Sequence, residues 1–310
     1  MVVRQAMVAA SQNGAVETAA TLTPVLRGLM NRFVAGREAA DAVRVGADLA
    51  AVGLHCTLEF LGEPTTDAVT AKAVASSYLR LLEALTEADI EDRAELSIKP
   101  SALGLDLRLG GEEIAVGNLL AVCGAAGKIG VDVTLDMEGP ESVGPTLAVL
   151  SEVREQYPST GVCLQSYLRR TEQDCADLAG EGSRVRLCKG AYAASKDVAF
   201  TTGQDVDLSF VRCLKELMAG QGTPLIATHD QRLIEIASAI AVRTSRDRGT
   251  YEIQMLYGVH REEQLRLAAA GDRVRVYLPY GPKWYPYLMR RIVENPGNVR
   301  HLVGSLLPSL

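Results

Sequence analysis

Tyr277-Leu-Pro-Tyr-Gly-Pro-Lys-Trp-Tyr-Pro-Tyr-Leu-Met-Arg-Arg-Ile-Val-Glu294, preceded by Val274 and Val276, reads as an apolar strand, a Pro/Gly turn and a helix. It is the last of eight such units. The other strands are expected at Leu54–Phe60, Ala94–Lys99, Val131–Asp136, Gly161–Gln165, Arg184–Cys188, Pro224–Thr228 and Tyr251–Leu256, with the eighth at Arg273–Leu278. Amphipathic helices are expected between them at Ala68–Leu85, Glu112–Ala126, Val143–Gln156, Thr171–Leu178, Leu208–Met218, Gln231–Ala241 and Glu262–Ala269. Eight strand–helix units in roughly 250 residues match a (β/α)8 barrel. An open doubly wound sheet also alternates strands with helices. The count of eight favours the barrel, as does the lack of any strand followed by GxGxxG. The spacing Gly124-x-x-Gly127-x-x-Gly130 closes a helix and reads as a turn. The expected organisation is one domain over 1–310, with a helical segment at 1–52, beside the barrel or capping its bottom, and the barrel at 53–300.

On the last helix Tyr287, Arg290, Arg291 and Glu294 recur at i, i+3, i+4 and i+7, which an α-helix brings to one face. Two guanidinium forks on one stripe can hold a carboxylate in charge-assisted bonds. The same pattern also describes a solvated helix face with i, i+4 pairing.

Composition narrows the function. With 32 Lys+Arg against 38 Asp+Glu, the net charge of −6 leaves no basic surplus for phosphate backbones, so nucleic acid is not an expected partner. The cysteines at 56, 123, 163, 175, 188 and 213 have no CxxC spacing, and Cys56, Cys163 and Cys188 fall in strand-like runs. They read as reduced, buried thiols of a cytoplasmic protein. Four histidines without paired spacing make a metal site unexpected. No secretory leader and no run of ~20 apolar residues is evident. The apolar tail His301–Leu310 reads as a docked C-terminal segment more readily than as a membrane or partner contact.

Barrel chemistry collects at the C-terminal ends of the strands. Those ends carry Glu59 to Glu63, Lys99, Asp136-Met-Glu138, Gln165, Arg186 to Tyr192, Thr228-His-Asp230, Gln254 to Tyr257, and Tyr277. Lys99 or Lys189 could form a Schiff base, as in a class I aldolase, or act as a plain cation. Asp136 and Glu138 could be an acid–base pair, or Asp136 could be a counter-ion for Arg186 or Arg291. His229 alone reads as a loop histidine more readily than as a base.

Taken together these strand ends resemble proline dehydrogenase in its short bacterial form, a FAD-dependent, distorted barrel with a C-terminal active-site helix. The likeness runs from about Ala39 to Glu294. It rests on Leu61-Gly-Glu63, Arg186-Leu-Cys-Lys-Gly-Ala-Tyr192, Ala227-Thr-His229, Tyr251-Glu-Ile-Gln-Met-Leu-Tyr-Gly258 and the terminal Tyr-x-x-Arg-Arg-x-x-Glu helix. Glu59, where the family often has Asp, and Pro100 after Lys99, where Leu is commoner, depart from its pattern.

The resemblance implies that Arg290, Arg291 and Lys99 hold a proline carboxylate and that Asp136 orients the arginines. Glu63 would be a gate carboxylate pairing with Arg290. Tyr277 would pack against the proline ring, and Arg186 would lie beside the flavin N5 edge. Met137, Gln165, Lys189, Gly190, Ala191, Thr228 and His229 would line the FAD site, with Gln254, Leu256, Tyr287 and Glu294 contributing behind them. The activity implied is oxidation of L-proline to 1-pyrroline-5-carboxylate, the first step of proline degradation to glutamate. It would proceed by hydride transfer from C5 to flavin N5, with electrons passing to a quinone. A cytoplasmic protein with a peripheral contact on the inner face of the membrane is implied, with 1-pyrroline-5-carboxylate dehydrogenase as a functional partner. The alternatives are a hydroxyproline dehydrogenase, in which a smaller residue would replace Tyr277, and the lysine-dependent aldolase.

Overall fold

Eight short β-strands close into a barrel in chain order, every neighbouring pair parallel. The structure is a computed structural model. It describes residues 24–62 and 65–294, excluding the side chains of 24–27, 29 and 290–294. The strands are β1 (His55–Phe60), β2 (Ala94–Ile98), β3 (Asp132–Leu135), β4 (Gly161–Gln165), β5 (Arg184–Cys188), β6 (Thr223–Ala227), β7 (Glu252–Leu256) and β8 (Val274–Tyr280). Parallel neighbours cannot be joined by a hairpin, so each strand is followed by a crossover helix.

Before β1 lie α1 (Pro24–Phe33) and α2 (Ala39–Ala50). After the strands come α3 (Ala68–Glu87), α4 (Gly111–Lys128), α5 (Val143–Arg154), α6 (Thr171–Asp177), α7 (Gly203–Ala219), α8 (Gln231–Arg243), α9 (Arg261–Ala269) and α10 (Trp284–Glu294). All eight expected strands and all the expected helices are present. The part of the expected N-terminal helical segment at 1–23 lies outside the described residues, as does the tail His301–Leu310. Among the described residues no helix is long and apolar enough to cross a membrane.

The strand pleat separates two environments. Leu58, Leu96, Leu135, Leu187, Ile253 and Val276 are buried in the apolar core beneath the helices. The alternate residues share the opposite parity and face the barrel axis: Thr57 with Glu95, Ser97 with Thr134, Gln254 with Arg275, and Thr57 with Tyr277 are register partners. Barrel interiors are usually filled by branched apolar side chains. This one is filled largely by charge and hydroxyl groups.

The outer ring departs from a simple one-helix-per-strand arrangement. The apolar face of α2 (Ala42, Val43, Val45, Leu49) packs on β1 and β8, so α2 stands beside the barrel at the seam where the chain closes. Gly46 permits the close approach, since a Cβ there would stand 3.2–3.3 Å from Ile90 and Cys56. The N-terminus of α2 is held by Asp41, whose carboxylate accepts the N–H groups of Arg37 and Glu38.

Helix α10 instead packs on α1, through a small core containing Val34, Leu61, Trp284, Tyr285, Tyr287 and Leu288. Its start is fixed by backbone bonds: Leu61 N–H to Tyr280 O at 2.7 Å and Lys283 N–H to Leu61 O at 3.0 Å.

Two local expectations change. Strand β8 continues past Leu278 through Pro279 to Tyr280, because these two stay in register with Glu59 and Phe60 of β1, while the Pro279 carbonyl accepts the Ala35 N–H at 2.9 Å. Gly124 and Gly127 are helical, inside α4, and only Gly130, at φ +75°, is the turn that follows.

One polar clamp anchors the far side of the barrel. The Arg246 guanidinium donates to the carbonyls of Leu217, Met218, Gly220, Gly222 and Thr250 at 2.7–3.2 Å. It thereby caps the C-terminus of α7 and the turn into β6. Arg246→Met is expected to lower stability by about 2–4 kcal/mol, read as a lower urea midpoint at unchanged slope.

Candidate active site

The C-terminal mouth of the barrel holds a cavity of about 680 Å3 to which all eight strand ends contribute. Thirteen of the residues to which the resemblance gives a role line its wall and floor: Lys99, Asp136, Met137, Gln165, Arg186, Lys189, Gly190, Ala191, Thr228, His229, Gln254, Leu256 and Tyr277. Tyr287 on α10 lines it from above. Glu63 lies outside the described residues, and so do the side chains of Arg290, Arg291 and Glu294, whose backbone belongs to α10.

Asp136 is the meeting point of the floor. Its Oδ1 accepts from Arg186 Nη1 at 2.8 Å and from Ser97 Oγ at 2.7 Å, and its Oδ2 accepts from the Tyr277 hydroxyl at 2.5 Å. Lys99 Nζ stands 3.8 Å from the same Oδ2 and is ion-paired with Glu59. Of the roles left open for Asp136, that of counter-ion to Arg186 is the one observed. Burial and the neighbouring Asp136 carboxylate push the Tyr277 phenol well above its ordinary range, so it stays a neutral donor.

Arg186 is buried and held on several sides. Besides Asp136 it donates to Ser97 Oγ at 2.7 Å, Glu95 Oε2 at 2.9 Å and Gln254 Oε1 at 2.6 Å. Its guanidinium carbon lies 5.3 Å from the centre of the Tyr277 ring. A planar cation fixed in this way cannot swing toward or away from a ligand. The position of its charge is set before anything binds.

Behind Arg186 lies a charged layer that sequence reasoning missed. Glu95 accepts from Thr57 at 2.6 Å, Thr134 at 2.5 Å, Arg184 at 3.1 Å and Arg186. Burial opposes its ionisation, but Arg186, Arg275 and Arg184 with the Thr134 hydroxyl outweigh it and hold the carboxyl below the usual carboxylate range. Arg184 also pairs with Asp132 at 3.1 Å, and Arg275 with Glu252 at 2.7 Å. The available signal was a polar residue at every second strand position: Glu95, Ser97 and Lys99 on one strand, Arg184 and Arg186 on another, Glu252 and Gln254 on a third.

The rim is organised by loops. Gly190, at φ +91°, has Tyr167 and Gln165 where a Cβ would go, so only glycine lets the backbone pass there. Gln165 is oriented by donating to Glu138 O at 2.7 Å. Lys189 bridges Asp207 at 2.6 Å and Asp230 at 3.3 Å, two carboxylates not foreseen as partners. Asp230 also caps α8, and its bonds from Arg232 and Lys189 hold it below the usual carboxylate range. His229 Nε2 accepts the Leu256 N–H at 2.9 Å, which ties the imidazole to the end of β7.

A parallel eight-stranded barrel whose ionic interior opens into a cavity at the strand ends defines a (β/α)8-barrel enzyme. A family model described as proline dehydrogenase matches residues 42–303, and the chain belongs to the proline dehydrogenase family of oxidoreductases. It is 35% identical to proline dehydrogenase 1 of Bacillus subtilis subsp. natto over 277 residues, 89% of this chain and 90% of that one. It is also 35% identical to proline dehydrogenase of Deinococcus radiodurans over 282 residues, covering 90% of each. Among solved structures it superposes on proline utilization A of Bdellovibrio bacteriovorus, inactivated by N-propargylglycine. The TM-score is 0.79 at 24% identity, a likeness of fold that covers 91% of this chain and 34% of that longer one.

Two outcomes test the charged interior. Glu95→Gln leaves Arg184 and Arg186 short of a counter-charge and is expected to cost about 3–5 kcal/mol in urea unfolding. At the bottom of the barrel, burial and then Arg275 and Arg273 push the His55 imidazole down from 6.5 to about 4. A native pKa below the unfolded one means that the unfolded chain takes up the proton first. Stability contributed by His55 is therefore lost as pH falls from about 6.5 toward 4. Because His55 is partly exposed, the loss should be roughly 1–2 kcal/mol after screening. His55→Gln should remove that part of the pH dependence, measured as the wild-type minus variant difference in stability across this window.

Proposed function

We propose that the protein oxidises L-proline to 1-pyrroline-5-carboxylate with FAD as its cofactor. The observation that carries this reading is the Asp136 carboxylate, bonded by Arg186, Ser97 and Tyr277, at the floor of a cavity walled by the expected flavin residues. Those walls fit a flavin. Met137 and Ala191 offer apolar surface, Gly190 an unobstructed backbone, and Gln165, Thr228, His229 and Lys189 polar groups at separate points. Bound FAD would supply an acceptor, at N5, for the hydride leaving proline C5, and would pass the electrons to a quinone.

The chain's own residues bind and orient. Arg290 and Arg291, with Lys99, would anchor the substrate carboxylate, and Glu63 would close over Arg290. A cationic surround disfavours the ammonium form and so favours the neutral amine whose C5–H bond can break. Loss of hydride from that amine leaves a protonated C=N bond, and loss of the remaining N–H proton gives the imine. Tyr277, held by Asp136, would pack against the proline ring and exclude a ring hydroxyl, which selects proline over hydroxyproline. Gln254 acts through Arg186, whose Nε it accepts. Glu294 would contribute to the cofactor site from α10.

Lys99 and Lys189 are both salt-bridged, the state of an anchoring cation and not of a Schiff-base nucleophile, which weighs against the aldolase reading. All six cysteines are free thiols, which supports a reducing, cytoplasmic setting. Peripheral contact with the inner membrane face would give access to a quinone. 1-Pyrroline-5-carboxylate dehydrogenase would consume the product.

The purified protein should be yellow and should bleach when L-proline is added without oxygen. Failure to bleach with proline and with hydroxyproline would refute the reading. Arg291→Met should keep its flavin but raise KM for proline by at least thirtyfold, corresponding to about 2–5 kcal/mol for a lost carboxylate anchor. Unchanged KM in steady-state kinetics would mean that the α10 arginine is structural.

A further inference from the structure

Two cysteines on the cavity wall have no part in the chemistry above. Cys163 on β4 and Cys188 at the end of β5 both face the cavity, with their sulfurs 3.7 Å apart. Cys163 is buried and Cys188 is partly exposed.

The strand register argues against a disulfide. Cys163 is paired with Arg186, and Cys188 with Gln165. The two cysteines are therefore offset by two residues along neighbouring strands, which puts their Cα atoms about 8 Å apart. A disulfide spans at most ~7 Å between Cα atoms, so closing one would require the barrel backbone to move. A shared cation makes no such demand. Two thiolates on one tetrahedral zinc, each at ~2.3 Å, stand about 3.8 Å apart, close to the separation already present. We propose that Cys163 and Cys188 form a two-thiolate site for a thiophilic divalent cation, zinc or cadmium, whose remaining ligands come from solvent in the cavity.

The surroundings favour deprotonation at one of the pair. The hydrogen bond from Cys163 pulls the Cys188 thiol below its ordinary range against burial and the Asp136 carboxylate, with help from the Gly190 N–H and the Arg186 guanidinium. That same bond and burial push the Cys163 thiol well above its own range, so the Cys163 proton leaves only as a cation takes its place. Cation binding is a plain exchange in which one metal ion enters and two thiol protons leave to solvent, with no change of oxidation state. Because only two protein ligands are supplied, the site is open, unlike the four-ligand shell of a structural zinc. Its place is the wall formed by Gln165, Cys188 and Lys189, the wall assigned above to the cofactor. A cation there would inhibit, a consequence that rests on the flavin reading, whereas the binding itself does not.

The test is a cadmium titration of the full-length chain as purified, freshly reduced and freed of reductant, followed by the ultraviolet thiolate-to-cadmium charge-transfer band. The proposal expects one cadmium per chain, competition by zinc, and at least tenfold weaker binding in both Cys163→Val and Cys188→Val. Cys213→Val, which alters a fully buried thiol on α7 away from the cavity, should bind as wild type. No band, a band that survives in both cavity variants, or a band lost only in Cys213→Val would overturn it. Should Cys163→Val fail to fold, Cys188→Val, at the partly exposed position, decides alone.

Discussion

The carboxylate of Glu95 stands fully buried at the centre of the barrel, and the arrangement around it depends on its charge. Two arginines and two threonine hydroxyls bond to it, and a third arginine, Arg275, stands 3.8 Å away. An ion this deep is costly to desolvate, and only good geometry with every lone pair occupied offsets the cost. The result is rigidity. Arg186 is pinned by Glu95 below and Asp136 above, and Asp136 is in turn pinned by Ser97 and Tyr277. The charge pattern at the mouth is thereby set by groups about two strand positions further down the axis.

This solution differs from an apolar barrel interior in what it does for the cavity. Apolar layers would leave the floor neutral, and a charged side chain at the mouth would have to find its own partners in solvent. Here the alternating signs of Glu252, Arg275, Glu95, Arg186, Asp136 and Lys99 carry fixed charge from the closed end of the barrel to the open one. A site built this way is preorganised for an anionic group near Lys99 and a positive field beside Arg186, without reorganisation when a ligand arrives.

Much of the architecture was legible in the sequence because it rests on local chemistry. Apolar runs such as Gly161 to Gln165 read as strands, and Thr171 or Gln231 opened helices close to where they were expected. The rim was legible for the same reason: a strand must end, and its last residues in this fold look into one mouth. The partners of those residues were not legible. Tyr277 and Asp136 are 141 positions apart, and Lys189 finds Asp207 and Asp230 on separate helices or loops, so no spacing could pair them. Nor were Glu95 and Glu252 legible, because a carboxylate inside an apolar strand gives no sign of lying in a core until closure of the sheet turns that side inward. The extension of β8 through Pro279 was hidden because proline normally argues against a strand. The seat of α2 was likewise open, since its apolar face fits either a barrel side or a barrel floor.

That seat has a consequence for the order in which the molecule can be made. A ribosome releases α2 among the first described elements and β8 among the last, yet α2 packs on β8 and β1 pairs with β8. The barrel wall therefore cannot close, and the early helix cannot cover its apolar face, until nearly the whole chain has emerged. Contacts this distant in sequence slow folding and prolong the time for which hydrophobic surface is exposed. The finished barrel, by contrast, has its first and last strands locked beneath a single helix.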